Sequence, residues 1–315
     1  MTSRARAGSL DSSLDRAVHV GSLTFANPVM TASGTSGHGG ELAPYGDLGL
    51  LGAIVVKSLA AYSWPGNPPP RVHPTPQGMI NAVGLQGAGV LAWLRDDLPG
   101  LAATGARVVV SIWGRSVADY AAAAEQLAGA GPEVVAVEVN LSCPNIEGRR
   151  GIFAHDAELS AQVMDVTAVC GRPRWAKLSP NTDRLVEVAE AVHHAGAEAV
   201  TLINTVLGLV FDAKTLAPSL GNGGGGLSGR AIHPVAVRAV FDVHQALPEL
   251  PIVGVGGVVS GWDAAELMLA GASAVQVGTA TFADPRAPWK VLDQLCSWAA
   301  GEGIGSLREV TGSCR

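Results

Sequence analysis

Eight short apolar runs rich in Val, Ile and Ala punctuate the chain: Pro28–Ser33, Ala53–Ser58, Arg107–Gly114, Val134–Ser142, Arg174–Pro180, Ala199–Thr205, Pro251–Gly257 and Ala274–Ala280. Runs without a polar face are expected of parallel strands covered on both sides. Between them lie stretches of helical periodicity, clearest at Ser116–Ala130, Ala157–Cys170, Thr182–Ala195, Pro234–Ala246, Gly261–Ala270 and Pro288–Ala300. Eight strand-then-helix units, evenly spread, predict a closed (β/α)8 barrel of the TIM-barrel class rather than an open doubly wound sheet. At 315 residues, one barrel domain accounts for the whole chain, with residues 1–17 read as an N-terminal extension.

Two stretches exceed a minimal barrel. Ala60–Gly89 follows the second strand and is rich in proline and glycine; Phe211–Arg230 follows the sixth and contains the run Gly223–Gly226. Long loops in compact domains commonly bind ligands. Both rise from the end of the barrel where active sites lie.

Composition narrows the field. Hydrophobic residues make up 48% of the chain and charged residues 15%, which suits a large core. The net charge of −6 argues against a nucleic-acid partner. Met1–Arg16 has no apolar run that would serve as a signal or anchor, and Leu267–Phe282 is interrupted by Gly271, Ser273, Gln276 and Gly278. A soluble, cytoplasmic protein without membrane partners is expected. The cysteines, Cys143, Cys170, Cys296 and Cys314, show no C-x-x-C pairing, and His38, His73, His155 and His233 show no ligand spacing, so no metal is predicted.

Candidate chemistry sits where the strands end. Only four lysines occur, and two of them, Lys57 and Lys177, fall within apolar strand patterns. A buried ammonium needs an anionic partner, which could be a ligand or a structural carboxylate. Gly254-Val255-Gly256-Gly257 and Gly278-Thr279 close strands seven and eight, where barrels commonly bind phosphate through backbone N–H groups. Cys143 stands in a polar turn between Asn140 and Asn145, unlike Cys170 and Cys296, which lie in helical patterns and read as core. As thiolate it could serve as a general base. Asn81, Asn140, Asn145 and Asn204 gather at strand ends or in the long second loop, and such amides would suit a small planar ligand such as a pyrimidine.

Asn140-Leu-Ser-Cys-Pro-Asn145 resembles the hallmark of class 1 dihydroorotate dehydrogenases, which use cysteine as the base. Gly66-Asn67-Pro68-Pro69-Pro70-Arg71, Gly78-Met79-Ile80-Asn81-Ala82-Val83-Gly84-Leu85-Gln86 and Asn204-Thr205-Val206-Leu207-Gly208 resemble the NAD-linked (B) subgroup. The resemblance spans nearly the whole chain. It implies FMN held by Ala32, Ser33, Gly34, Lys57, Ser58, Asn140, Lys177, Ile203 and Gly229, with its phosphate on Gly256, Gly257, Gly278 and Thr279. It further implies dihydroorotate or orotate on Lys57, Asn81, Gly84, Leu85, Asn140, Asn145, Asn204 and Thr205, with Cys143 as base and Lys57 stabilising negative charge. Strand three departs from the pattern, placing Ser111 where the family has an asparagine and the bulky Trp113 where it often has a small residue. A homodimer, and a partner subunit carrying FAD and an iron–sulfur cluster, are also implied. The alternatives are another pyrimidine-type flavin oxidoreductase, similar to dihydropyrimidine dehydrogenase, or a phosphate-binding barrel without redox chemistry.

Overall fold

The computed structural model describes residues 14–142, 144–145 and 151–314, with Pro144, Asn145 and Gly151 described by their backbone alone. Cys143 is outside the described residues, as are the side chain of Asn145 and most of the N-terminal extension.

Eight parallel strands form the barrel: Val29–Thr31, Ile54–Val55, Val108–Ile112, Val134–Asn140, Arg174–Lys177, Ala199–Leu202, Ile252–Val255 and Ala274–Val277, strands one to eight. Each falls inside a predicted apolar run. Neighbours pair in the order 1-8-7-6-5-4-3-2. The Thr31 amide donates to the Ala53 carbonyl (3.2 Å) and the Gly52 amide to that of Val29 (2.8 Å), which closes the sheet between strands one and two. Strand three, Val-Val-Val-Ser-Ile, is buried at every position, as its apolar pattern, interrupted only by Ser111, leads one to expect.

The predicted helices lie at Val117–Leu127, Ala157–Val166, Leu185–His194, His233–Ala246, Gly261–Leu269 and Ala287–Gly301. Side-chain caps set several starts. Ser116 accepts from the Asp119 amide, Asp156 from that of Leu159, and Ser260 forms a reciprocal box with Asp263. Two short helices, Val90–Asp96 and Leu98–Ala102, complete the second unit. The opposite end of the barrel carries a hairpin, Val18–Val20 with Leu23–Phe25, whose Phe25 packs edge-on against Trp175 (5.9 Å).

The two long stretches are not simple loops. Together with Val206–Gly208, which follows strand six directly, they form a four-stranded antiparallel sheet ordered Val206–Gly208, Gly225–Ser228, Gly78–Asn81 and Val72–Thr75. The second half of the glycine run is explained by crowding, because a Cβ on Gly225 would lie 2.4 Å from the Asn81 carbonyl and one on Gly226 2.0 Å from Thr205 Oγ1, whereas Gly223 has open space and a φ of +79°. Glycine thus permits a turn at Gly223 and close approach at Gly225 and Gly226.

Candidate active site

Strand ends and the accessory sheet together enclose a cavity of about 290 Å³. Ala32, Ser33 and Gly34 line it from strand one, Lys57 and Ser58 from strand two, Asn140 and Ser142 from strand four, and Lys177 from strand five. Ile203, Asn204 and Thr205 follow strand six, and Asn81, Gly84, Leu85 and Gly229 come from the accessory segments. Gly256, Gly257, Gly278 and Thr279 close the far end. The structure therefore brings together the residues singled out from the sequence, apart from Ser111, Asn145 and Cys143.

Ser111 is fully buried and stands behind the cavity wall. Its hydroxyl is 2.8 Å from Ser58 Oγ, which in turn receives Asn140 Nδ2 (3.2 Å) and lies 3.2 Å from Ser33 Oγ. Its position favours an indirect role, bracing Ser58. Trp113 is also buried, packed edge-on against Tyr62 (6.3 Å) and Trp64 (6.1 Å) beneath Leu85, so its bulk supports the segment that follows strand two. The amides are held in place as well. Asn140 Oδ1 accepts from the Ser142 amide and from Asn204 Nδ2 (both 3.2 Å), and Asn81 Nδ2 donates to the Gly226 carbonyl (3.2 Å). Fixed amides present their remaining donors and acceptors in a preset array, which lowers the entropy lost on binding.

The two lysines differ. The Lys57 ammonium has no hydrogen-bond or ion-pair partner among the described residues, and burial, then the charge of Arg71, holds its pKa below the ordinary lysine range. Lys177 meets Glu138, whose Oε1 lies 3.4 Å from its Nζ. Lys177 thus satisfies both readings of a buried lysine, facing a structural carboxylate while lining the cavity.

At the far end, Gly257 has φ +71°, and a Cβ there would lie 2.6 Å from His233 Cβ. His233 Nδ1 donates to the Gly256 carbonyl (2.8 Å), which fixes the turn from outside. Sequence reasoning did not single out the apolar walls contributed by Met79, Val83, Ile232 and Phe282. Apolar side chains carry no chemical signature in a sequence; only the pairing of Gly78–Asn81 with Gly225–Ser228 brings the first two to the mouth. Cys170 and Cys296 are buried as expected, and burial raises the pKa of each thiol.

Glycine turns after strands seven and eight are shared with the (β/α)8 barrels that hold a phosphorylated group at that corner. Sequence comparison defines the group more closely. A family model described as dihydroorotate dehydrogenase matches residues 16–298, and the chain belongs to that family. It is 47% identical over 298 residues to the "Dihydroorotate dehydrogenase B (NAD(+)), catalytic subunit" of Desulforudis audaxviator, covering 94% of this chain and 96% of that one. The proteins of the same description in Geotalea daltonii and Geobacter sulfurreducens are 43% and 42% identical, each over at least 95% of this chain and 98% of the relative.

Proposed function

We propose that this chain oxidises (S)-dihydroorotate to orotate in de novo pyrimidine biosynthesis, using FMN. The observation that carries the reading is the half-buried Lys57 ammonium, which lines the cavity and has no protein partner among the described residues. A desolvated cation calls for an anion, and dihydroorotate brings a carboxylate. Asn81, Asn140 and Asn204 supply the amide edges that a pyrimidine ring would meet.

The residues present fit FMN. At Gly256 and Gly257 the backbone turns through positive φ where a side chain would clash, which leaves its N–H groups open to a phosphate. When bound, FMN supplies the ring that accepts hydride from the substrate. The chain's own residues do the rest. Cys143, as thiolate, takes the proton from C5 of the substrate, Lys57 offsets negative charge at substrate and cofactor, and the braced amides hold the ring in register. No helix among the described residues is long and apolar enough to cross a membrane.

The relatives' description as NAD(+)-linked catalytic subunits supports transfer of electrons to NAD+ through a second subunit bearing FAD and an iron–sulfur centre, with this chain as a homodimer. None of the cysteines forms a C-x-x-C pair that would hold such a centre here. The isolated, FMN-loaded chain is expected to reduce an artificial dye but not NAD+.

A reading as a dihydrouracil-oxidising enzyme is separated by one assay. Dihydrouracil lacks the carboxylate and would leave Lys57 unpaired, so kcat/KM is expected to favour dihydroorotate by at least about 10². Equal turnover of the two substrates would sink the assignment. The glycine cradle is tested by Gly257→Ala. A left-handed backbone costs a β-carbon about 1–2 kcal/mol, and His233 and the Gly229 carbonyl, 2.6 and 3.0 Å from that carbon, must also move. FMN affinity measured by flavin fluorescence is expected to fall about tenfold or more; an unchanged Kd would move the phosphate elsewhere.

A further inference from the structure

Inside the barrel, one layer beneath the cavity, strand four presents a carboxylate. Glu138 is fully buried, whereas Asn140, two residues further and on the same face of the strand, lines the cavity. Three other strands converge on it: Lys177 Nζ from strand five (3.4 Å), Thr201 Oγ1 from strand six (3.1 Å) and Gln276 Nε2 from strand eight (2.8 Å). Such an arrangement is not explained by stability. Burying an ion pair costs several kcal/mol per charge, and apolar side chains of similar volume often serve a core as well or better. Of the four residues only Lys177 reaches the cavity. The separation of 3.4 Å exceeds that of a tight charge-assisted hydrogen bond, about 2.7–2.9 Å. The ammonium is therefore tethered without being used up, and its remaining donors are left for a ligand.

We propose that Glu138 is a positioning residue. Clamped by Thr201 and Gln276, its carboxylate keeps the flexible Lys177 side chain directed at the cavity floor, in place before negative charge builds up on the cofactor. Without it, the ammonium loses its tether and turns away from the cavity floor, because an unpaired buried charge is costly. This inference rests on the FMN reading above.

The test compares bound FMN in the wild-type chain, Glu138→Gln, Lys177→Met and the double variant. Lys177→Met is expected to lower the midpoint potential and to slow flavin reduction by dihydroorotate about 10². Glu138→Gln should shift the potential in the same direction and slow reduction about tenfold, and the double variant should fall no lower than Lys177→Met alone. A carboxylate acting only as a nearby negative charge predicts the opposite sign, since its removal would raise the potential. A raised or unchanged potential in Glu138→Gln, or additive shifts in the double variant, overturns the proposal. Should Glu138→Gln fail to fold, Glu138→Asp draws the charge back by one methylene; a lowered potential supports the proposal and an unchanged or raised one overturns it. A wild-type chain that takes up no FMN overturns the underlying reading as well, whereas uptake without these shifts overturns only the role of Glu138.

Discussion

Replacing Cys143 with alanine is expected to cut dihydroorotate oxidation by about 10²–10⁴ while FMN stays bound with the same affinity. A lone cysteine stands in Asn140-Leu-Ser-Cys-Pro-Asn145, at the end of a barrel strand, in a chain belonging to the dihydroorotate dehydrogenase family. Ser142, its neighbour in the chain, lines the cavity. An ordinary thiol ionises near pH 8.5, so wild-type kcat/KM should climb with pH as thiolate forms, and Cys143→Ala should lose that limb. Stopped-flow reduction of the flavin by dihydroorotate reads both effects. Turnover near the wild-type rate in the alanine variant would remove Cys143 from the reaction.

Lys57→Met is expected to lower kcat/KM for dihydroorotate by about 10²–10³, the loss typical of one preorganised charge-stabilising donor. The same substitution should stabilise the ligand-free protein. Burial pushes the Lys57 pKa below its ordinary 10.5, so the fold disfavours the charged form. The sign follows from linkage. Below the folded pKa the lysine is charged in both states and the fold bears the full desolvation penalty; the penalty fades as pH rises through the folded value toward the unfolded one. Thermal unfolding should therefore show a gain in Tm for Lys57→Met at pH 7 that diminishes toward pH 10.5. A variant less stable than wild type at pH 7, or one that keeps full kcat/KM, would show that Lys57 has a protein partner and not a ligand to meet.

All eight barrel strands were legible because a strand covered on both faces writes an unbroken apolar run, and helices began near the polar residues that cap them. The accessory sheet was not legible. Its pairing of Asn81 with Gly226 spans 145 residues, and Gly223–Gly226 reads locally as a turn. Most candidate site residues could be found from their places at strand ends, where rare lysines, amides and glycines stand out. Ser111 was located, but nothing in the local pattern shows that its hydroxyl turns inward to Ser58. Lys177 was recognised as a buried cation, yet its carboxylate partner was overlooked, although Glu138 is the single acidic residue in the strand Val134–Asn140.

The roof over the cavity has a kinetic consequence. Joining Gly78–Asn81 to Gly225–Ser228 closes a loop whose entropy cost is on the order of 4 kcal/mol, and that cost falls steeply once strands two to six have already drawn the ends together. The barrel can thus form without its roof, but the roof cannot form without the barrel. In refolding the cylinder is therefore expected to come first and the ligand mouth last, which leaves the mouth the part of the molecule most open to being completed by what it binds.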